Sequence, residues 1–122
     1  MQSPQYKRRR KEKTQYKPFE REITLRGGKC EKLYGTTLRR SDPDYIGCLY
    51  GFLFVVEFKK DEKTKAEEYQ EYKINQWIAA GAIGLVHWDA KLAAQEIENE
   101  ARQRSTSGKL YPARSAGYQG PG

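Results

Sequence analysis

Histidine is nearly absent from this chain, and cysteine and methionine are scarce. The 122 residues hold one histidine, His87, one methionine and two cysteines, Cys30 and Cys48. A lone histidine argues against HNH, GIY-like and histidine-based phosphodiesterase centres, which need more; His87 reads as a strand-end residue of the last core strand. Two cysteines far apart are too few for a zinc cluster. They read as small buried apolar residues, with free thiols kept in a reducing compartment. No apolar run approaches transmembrane length, and the N-terminus lacks the apolar core of a signal peptide. The expectation is a soluble, intracellular protein with no membrane partner.

Charge, by contrast, is abundant. Charged residues make up 32% of the chain against 37% hydrophobic, and the net charge is +7 with a pI of about 9.4. That balance favours a polyanionic partner, nucleic acid or an acidic membrane. The length suits one domain with a modest core. The charge is concentrated in "YKRRRKEKTQYKP", Tyr6 to Pro18. This block is either a solvated arm or one that grips phosphates through Arg8, Arg9 and Arg10. At the other end, "STSGKLYPARSAGYQGPG" is rich in Ser, Gly and Pro and reads as a disordered tail. The expected division is a basic arm over 1–18, a folded domain over 19–104 and a tail over 105–122.

Within the domain, Phe19–Leu25 reads as a short helix ended by Gly27-Gly28, and Pro18 is expected to block its upstream extension. "KCEKLY" alternates like a strand. "DYIGCL" and "FLFVVEFKK" read as two strands joined at Tyr50-Gly51. Thr64 and Glu67 have the spacing of a capping box. Ala66, Tyr69, Lys73, Trp77 and Ala80 follow at helical spacing, with Gly81 as the stop. "IGLVHW" reads as a short buried strand. Asp89 then caps a last helix carrying Ala93, Ile97 and Ala101 on one stripe. The order (α)βββαβα predicts an α/β fold with a mixed sheet. The small-residue stripe suggests a surface for a homodimer. Trp77 and Trp88 read as core residues; Tyr34, Tyr45, Tyr69 and Tyr72 are candidates for a nucleic-acid surface.

Charges intrude on the hairpin. Centring its turn on Tyr50-Gly51 sets Asp44 opposite Glu57 and Asp42 opposite Lys59. By strand alternation Glu57 and Lys59 share a face with Leu53 and Val55, while Phe52, Phe54, Val56 and Phe58 take the other. A strand apolar on both faces belongs at the centre of a sheet. Opposed carboxylates repel, and a divalent cation with hard oxygen ligands, Mg²⁺ or Mn²⁺, removes the conflict. Lys59 then lies where it would stabilise a phosphate under attack. The alternative is a structural salt bridge from Lys59 to Asp42 or Glu57. Lys32, Arg39 and Arg40 are candidate phosphate contacts.

"PD" at Pro43-Asp44 followed by "EFK" at Glu57–Lys59 resembles the PD-(D/E)xK nuclease signature. The longer run from Glu31 to Val86, including Gln70 and Ala79-Ala80-Gly81, resembles the VRR-Nuc branch. These virus-type replication-repair nucleases occur alone in phages and fused to larger repair enzymes. The resemblance implies a restriction-endonuclease-like core and a Mg²⁺-dependent DNA endonuclease, with Mn²⁺ as substitute. The substrate class it implies is a Holliday junction or flap, cut by a homodimer; for a phage-encoded protein the location would be the bacterial cytoplasm. It implies Asp44, Glu57 and the Phe58 backbone carbonyl as metal ligands, Lys59 as the catalytic lysine, and Gln70 as the residue that orients metal or lysine. It further implies an acid from the first helix, Glu22 or Glu20. Asp42 stands where the family usually has glycine. The rival reading is a nucleic-acid-binding module that keeps the fold without catalysis.

Overall fold

The structure, a computed structural model, describes residues 14–34, 43–64 and 68–106. Arg8, Arg9, Arg10, Arg39, Arg40, Asp42, Ala66 and Glu67 lie outside that set. Seven elements follow in order: α1 (Tyr16–Leu25), β1 (Lys29–Lys32), β2 (Tyr45–Leu49), β3 (Phe52–Phe58), α2 (Glu68–Ala79), β4 (Ile83–His87) and α3 (Ala90–Thr106). The four strands form one sheet in the order β1-β2-β3-β4. β1, β2 and β3 are antiparallel, and β4 joins β3 in parallel after the α2 crossover. The mixed α/β sheet expected from the sequence is the fold observed.

Hairpin register follows from its turn. Tyr50 and Gly51 both take positive φ, 54° and 85°. That is the left-handed pair of a tight turn whose twist matches the strands it joins. Leu49 therefore pairs with Phe52 and Tyr45 with Val56, which is the register set by centring on Tyr50-Gly51. β3 lies between β2 and β4, and six of its seven residues are buried, Leu53 excepted. Phe52, Phe54, Val56 and Phe58 face Phe19 and Ile23 of α1 and the Ala93, Ala94, Ile97 and Ala101 stripe of α3. This stripe is fully buried within the protomer. Its small side chains let α3 lie close to α1, so it is not the dimer surface suggested by its spacing.

Two helices end as their glycines dictate. After α1, the Gly28 N–H reaches the Ile23 carbonyl at 2.9 Å and the Gly27 N–H the Thr24 carbonyl at 3.0 Å. After α2, Ala82 and Gly81 repeat the pattern on Trp77 and Ile78, both at 2.9 Å. Both are Schellman stops. At the start of α3, Asp89 Oδ1 accepts the Leu92 N–H at 2.9 Å, the N-cap expected of it. The start of α1 differs from expectation. The helix opens at Tyr16 and takes Pro18 into its first turn, where a missing N–H breaks no intrahelical bond. Before α2, the Thr64 hydroxyl donates to Asp61 Oδ1 at 2.9 Å.

Three more residues depart from their sequence reading. Cys48 is exposed and Cys30 half-buried. Cys30 pairs with Gly47 and Cys48 with Lys29, so alternation turns the two thiols to opposite faces. Trp88 is exposed and stacks on His87, ring centroids 4.3 Å apart. Tyr45 is fully buried, its hydroxyl donated to Glu20; burial first, and then that bond, push its pKa well above the ordinary phenol value. His87 is buried at the end of β4 as expected. Its Nδ1 accepts the N–H groups of Trp88 and Asp89 at 2.9 and 3.0 Å, leaving Nε2 to face Glu96 at 3.2 Å. Among the described residues, no helix is long and apolar enough to cross a membrane.

Candidate active site

Charged side chains meet where β3 runs out of its antiparallel partner. The β2–β3 ladder stops at Tyr45–Val56, leaving Asp44 and Glu57 one step beyond. Asp44 turns its carboxylate back onto the strand end, and Oδ2 accepts the Phe58 N–H at 2.8 Å. The Asp44 carbonyl accepts the Leu33 N–H at 2.7 Å, extending the β1 contact past its last formal pair. Asp44 is thus fixed by backbone on both sides. Glu57 points to the other face, toward α2, and is 5% exposed.

Gln70, in the first described turn of α2, joins the catalytic candidates to each other. Its Nε2 donates to Glu57 Oε2 at 2.7 Å, and its Oε1 accepts from Lys59 Nζ at 2.5 Å. Lys59 Nζ also lies 3.3 Å from Glu57 Oε2. The amide uses its donor end on the anion and its acceptor end on the cation, the only orientation that satisfies both. Lys59 is held further by its own N–H, which donates to the His87 carbonyl at 2.8 Å across to β4. Buried ionic groups need such multiple partners to offset their lost hydration.

The other carboxylate has its own cation. Lys32, the last residue of β1, brings Nζ to 3.6 Å from Asp44 Oδ1. The Tyr16 hydroxyl donates to the same oxygen at a long 3.3 Å. Each acid therefore has an ammonium of its own, which counters the repulsion expected between Asp44 and Glu57.

Of the residues expected at the site, Glu57, Lys59 and Gln70 form one set of contacts, and Asp44, the Phe58 backbone and Lys32 form another, both at the same end of β3. Glu22 does not join them. It pairs with Arg26 at 2.7 Å, one turn along α1. Glu20 binds the Tyr45 hydroxyl. Tyr16 was missed, because it lies in a polar block with no local pattern and reaches Asp44 only through the tertiary fold. The seat of Lys32 on Asp44 follows from the β1–β2 register, which places Lys32 opposite Tyr45, and the long separation of the two strands in sequence hides that register.

Two carboxylates and the Phe58 carbonyl are hard oxygen donors of the kind Mg²⁺ or Mn²⁺ takes. Mg²⁺ keeps several waters and uses one or two protein carboxylates, so a pair suffices. No group of three or more His, Cys, Asp and Glu residues gathers into a metal-holding set among the described residues. The donor set fits a water-rich Mg²⁺ site and not a closed thiolate or imidazole one.

No family model matches the chain, and no curated protein matches it. Among solved structures, one described as a VRR_NUC domain superposes with a TM-score of 0.62 at 30% identity, covering 72% of this chain and 95% of that one. The chain belongs to the VRR-Nuc family. Nearly all of the matched VRR_NUC domain has a counterpart here, so the likeness spans a whole domain and not one motif. Membership accounts for the sheet order and for the nuclease-type fold on which Asp44, Glu57 and Lys59 are mounted.

Proposed function

We propose that this VRR-Nuc chain is a Mg²⁺-dependent DNA endonuclease that hydrolyses phosphodiester bonds in branched duplex, a Holliday junction in the first instance, with Mn²⁺ able to substitute. The observation that carries the reading is the Gln70 bridge. A salt bridge alone would not need an amide presenting opposite ends to Glu57 and Lys59. Such a bridge fixes both groups at once, as a site that must hold a ligand and a phosphate in register requires.

Asp44, Glu57 and the Phe58 carbonyl would hold the cation. Bound Mg²⁺ would supply Lewis-acid polarisation of the phosphate and a lowered pKa for water. Lys59 offers a fixed ammonium to the negative charge that builds on the phosphate during in-line attack. Gln70 keeps that ammonium beside Glu57 and out of bulk water. The basic arm and the basic residues near the site supply affinity for the backbone without reading sequence. A homodimer would set two such sites against two strands of one junction.

A non-catalytic binding module is the second reading. It is favoured by one observation: both first-helix acids are engaged elsewhere, Glu22 by Arg26 and Glu20 by Tyr45. Incubation with supercoiled plasmid, linear duplex and a four-way junction, each with Mg²⁺ or EDTA, separates the two. The nuclease reading expects Mg²⁺-dependent nicks, fastest on the junction. Binding to all three DNAs with no product under either condition supports the module.

A further inference from the structure

Lys32 is bound to Asp44 in a different manner from the way Lys59 is bound to Glu57. Lys59 is clamped by Gln70 at 2.5 Å and is 11% exposed as a side chain. Lys32 stands 3.6 Å from its carboxylate and is 17% exposed. Its remaining hold is a donation to the Leu33 carbonyl at 2.9 Å and two aromatic faces, Tyr16 at 4.8 Å and Tyr34 at 5.3 Å. Tyr34 is itself 83% exposed, so one wall of this seat is open to solvent. Exposed cation–π contacts of this kind are weak.

We propose that Lys32 is a resident counter-ion of Asp44 that a divalent cation must displace, and that the displaced ammonium then engages a phosphate of the DNA. The proposal rests on the metal-dependent reading given above. Asp44 Oδ2 is held by the Phe58 N–H at 2.8 Å, whereas Oδ1, the oxygen Lys32 faces, has only long contacts, 3.6 Å to Lys32 and 3.3 Å to the Tyr16 hydroxyl, and is the one that turns to a new cation. A divalent charge at Oδ1 repels the ammonium, and the long Lys32 contact yields before the clamped Lys59 does. The freed Lys32 sits at the end of β1, where its seat opens to solvent beside Tyr34 and a phosphate can reach it. In the absence of metal the same ammonium suppresses repulsion between Asp44 and Glu57, so the site stays folded while empty of cation.

Calorimetric titration of Mn²⁺ into the full chain without DNA tests displacement. Lys32→Met should bind Mn²⁺ on the order of tenfold tighter than wild type, since no resident charge opposes it. Lys32→Arg should stay close to wild type, as should Lys29→Met, which removes an exposed charge from the same strand. Lys32→Gln repeats the test if methionine perturbs β1. In a second arm, the salt dependence of DNA binding is measured with Ca²⁺ and with EDTA. Lys32→Met should lower the slope by about one phosphate, ~0.9, with Ca²⁺ and leave it unchanged in EDTA. Equal Mn²⁺ affinity in wild type, Lys32→Met and Lys32→Gln overturns the proposal and leaves the metal site standing. A slope lowered equally in EDTA also overturns it, because Lys32 would then reach DNA without displacement. Absence of Mn²⁺ uptake by every protein removes the metal reading and the proposal together.

Discussion

Replacing Glu57 with glutamine keeps the side chain's shape and removes its charge. From the sequence, this change relieves a clash between two acids and should stabilise the metal-free protein. The structure reverses the sign. Lys59 is almost buried and lies 3.3 Å from Glu57 Oε2, with Gln70 as its other partner. Glu57→Gln leaves that ammonium short of its counter-charge, at an expected cost of about 1–3 kcal/mol. Chemical denaturation without metal measures it, and the double variant Glu57→Gln/Lys59→Met should recover part of the loss through their coupling. Stability equal to or above wild type would show that the pair contributes nothing. The placement of Asp44, Glu57 and Lys59 at one end of the hairpin was legible in the sequence because a tight turn sets the register locally, while Gln70 was named only through the family resemblance. The Lys59–Glu57 contact stood there as the alternative salt bridge, but the Lys32–Asp44 pair was not legible, since a distance of a few ångströms between side chains depends on packing that no spacing encodes. Cys48 and Trp88 were misread for a related reason: apolar type does not say which strand face or helix entry stays uncovered.

At the level of elements, the far end of the hairpin is clamped as firmly as the site. Tyr50, in the turn, donates to Glu98 Oε2 on α3 at 2.6 Å. Arg26, after α1, reaches Glu98 Oε1 at 3.1 Å and Glu22 at 2.7 Å. The Tyr50 hydroxyl, with help from Arg102 and Arg26, holds Glu98 below the usual glutamate range. A depressed carboxylate contributes stability that is complete above its unfolded value, near pH 4.5, and is lost as pH falls through its lower native value. Wild type should therefore lose more stability than Glu98→Gln between about pH 5 and the native titration below it. Denaturation midpoints across that window check the difference, and parallel losses in the two proteins would show that Glu98 carries no acid sensitivity. Helix ends were readable here, since Gly27, Gly81 and Asp89 act through their own backbone or the next turn. The start of α1 was not, because Pro18 is compatible with a first turn as well as with a block.

For the whole molecule, the proposed function divides the labour between the strong positive charge, for diffuse affinity, and the site, for chemistry. Residues 1–13 carry Lys7, Arg8, Arg9, Arg10, Lys11 and Lys13. Since α1 begins at Tyr16, whose hydroxyl touches Asp44, an arm deletion that spares the site must stop at residue 13. Removing 1–13 should flatten the salt dependence of DNA binding by about 0.9 for each phosphate that the arm neutralises, with the Mg²⁺ requirement of cleavage unchanged. A salt slope equal to that of the full chain would take the arm out of DNA binding. The central claim is that Asp44 and Glu57 serve hydrolysis through a bound cation, and its most direct measurement is the rate of junction cleavage at saturating DNA as Mg²⁺ is raised. Wild type should rise from no detectable cleavage to a plateau, while folded Asp44→Asn and Glu57→Gln bind the junction and stay at the baseline across the titration. Cleavage that ignores Mg²⁺, or that survives either substitution at the wild-type rate, would contradict the account.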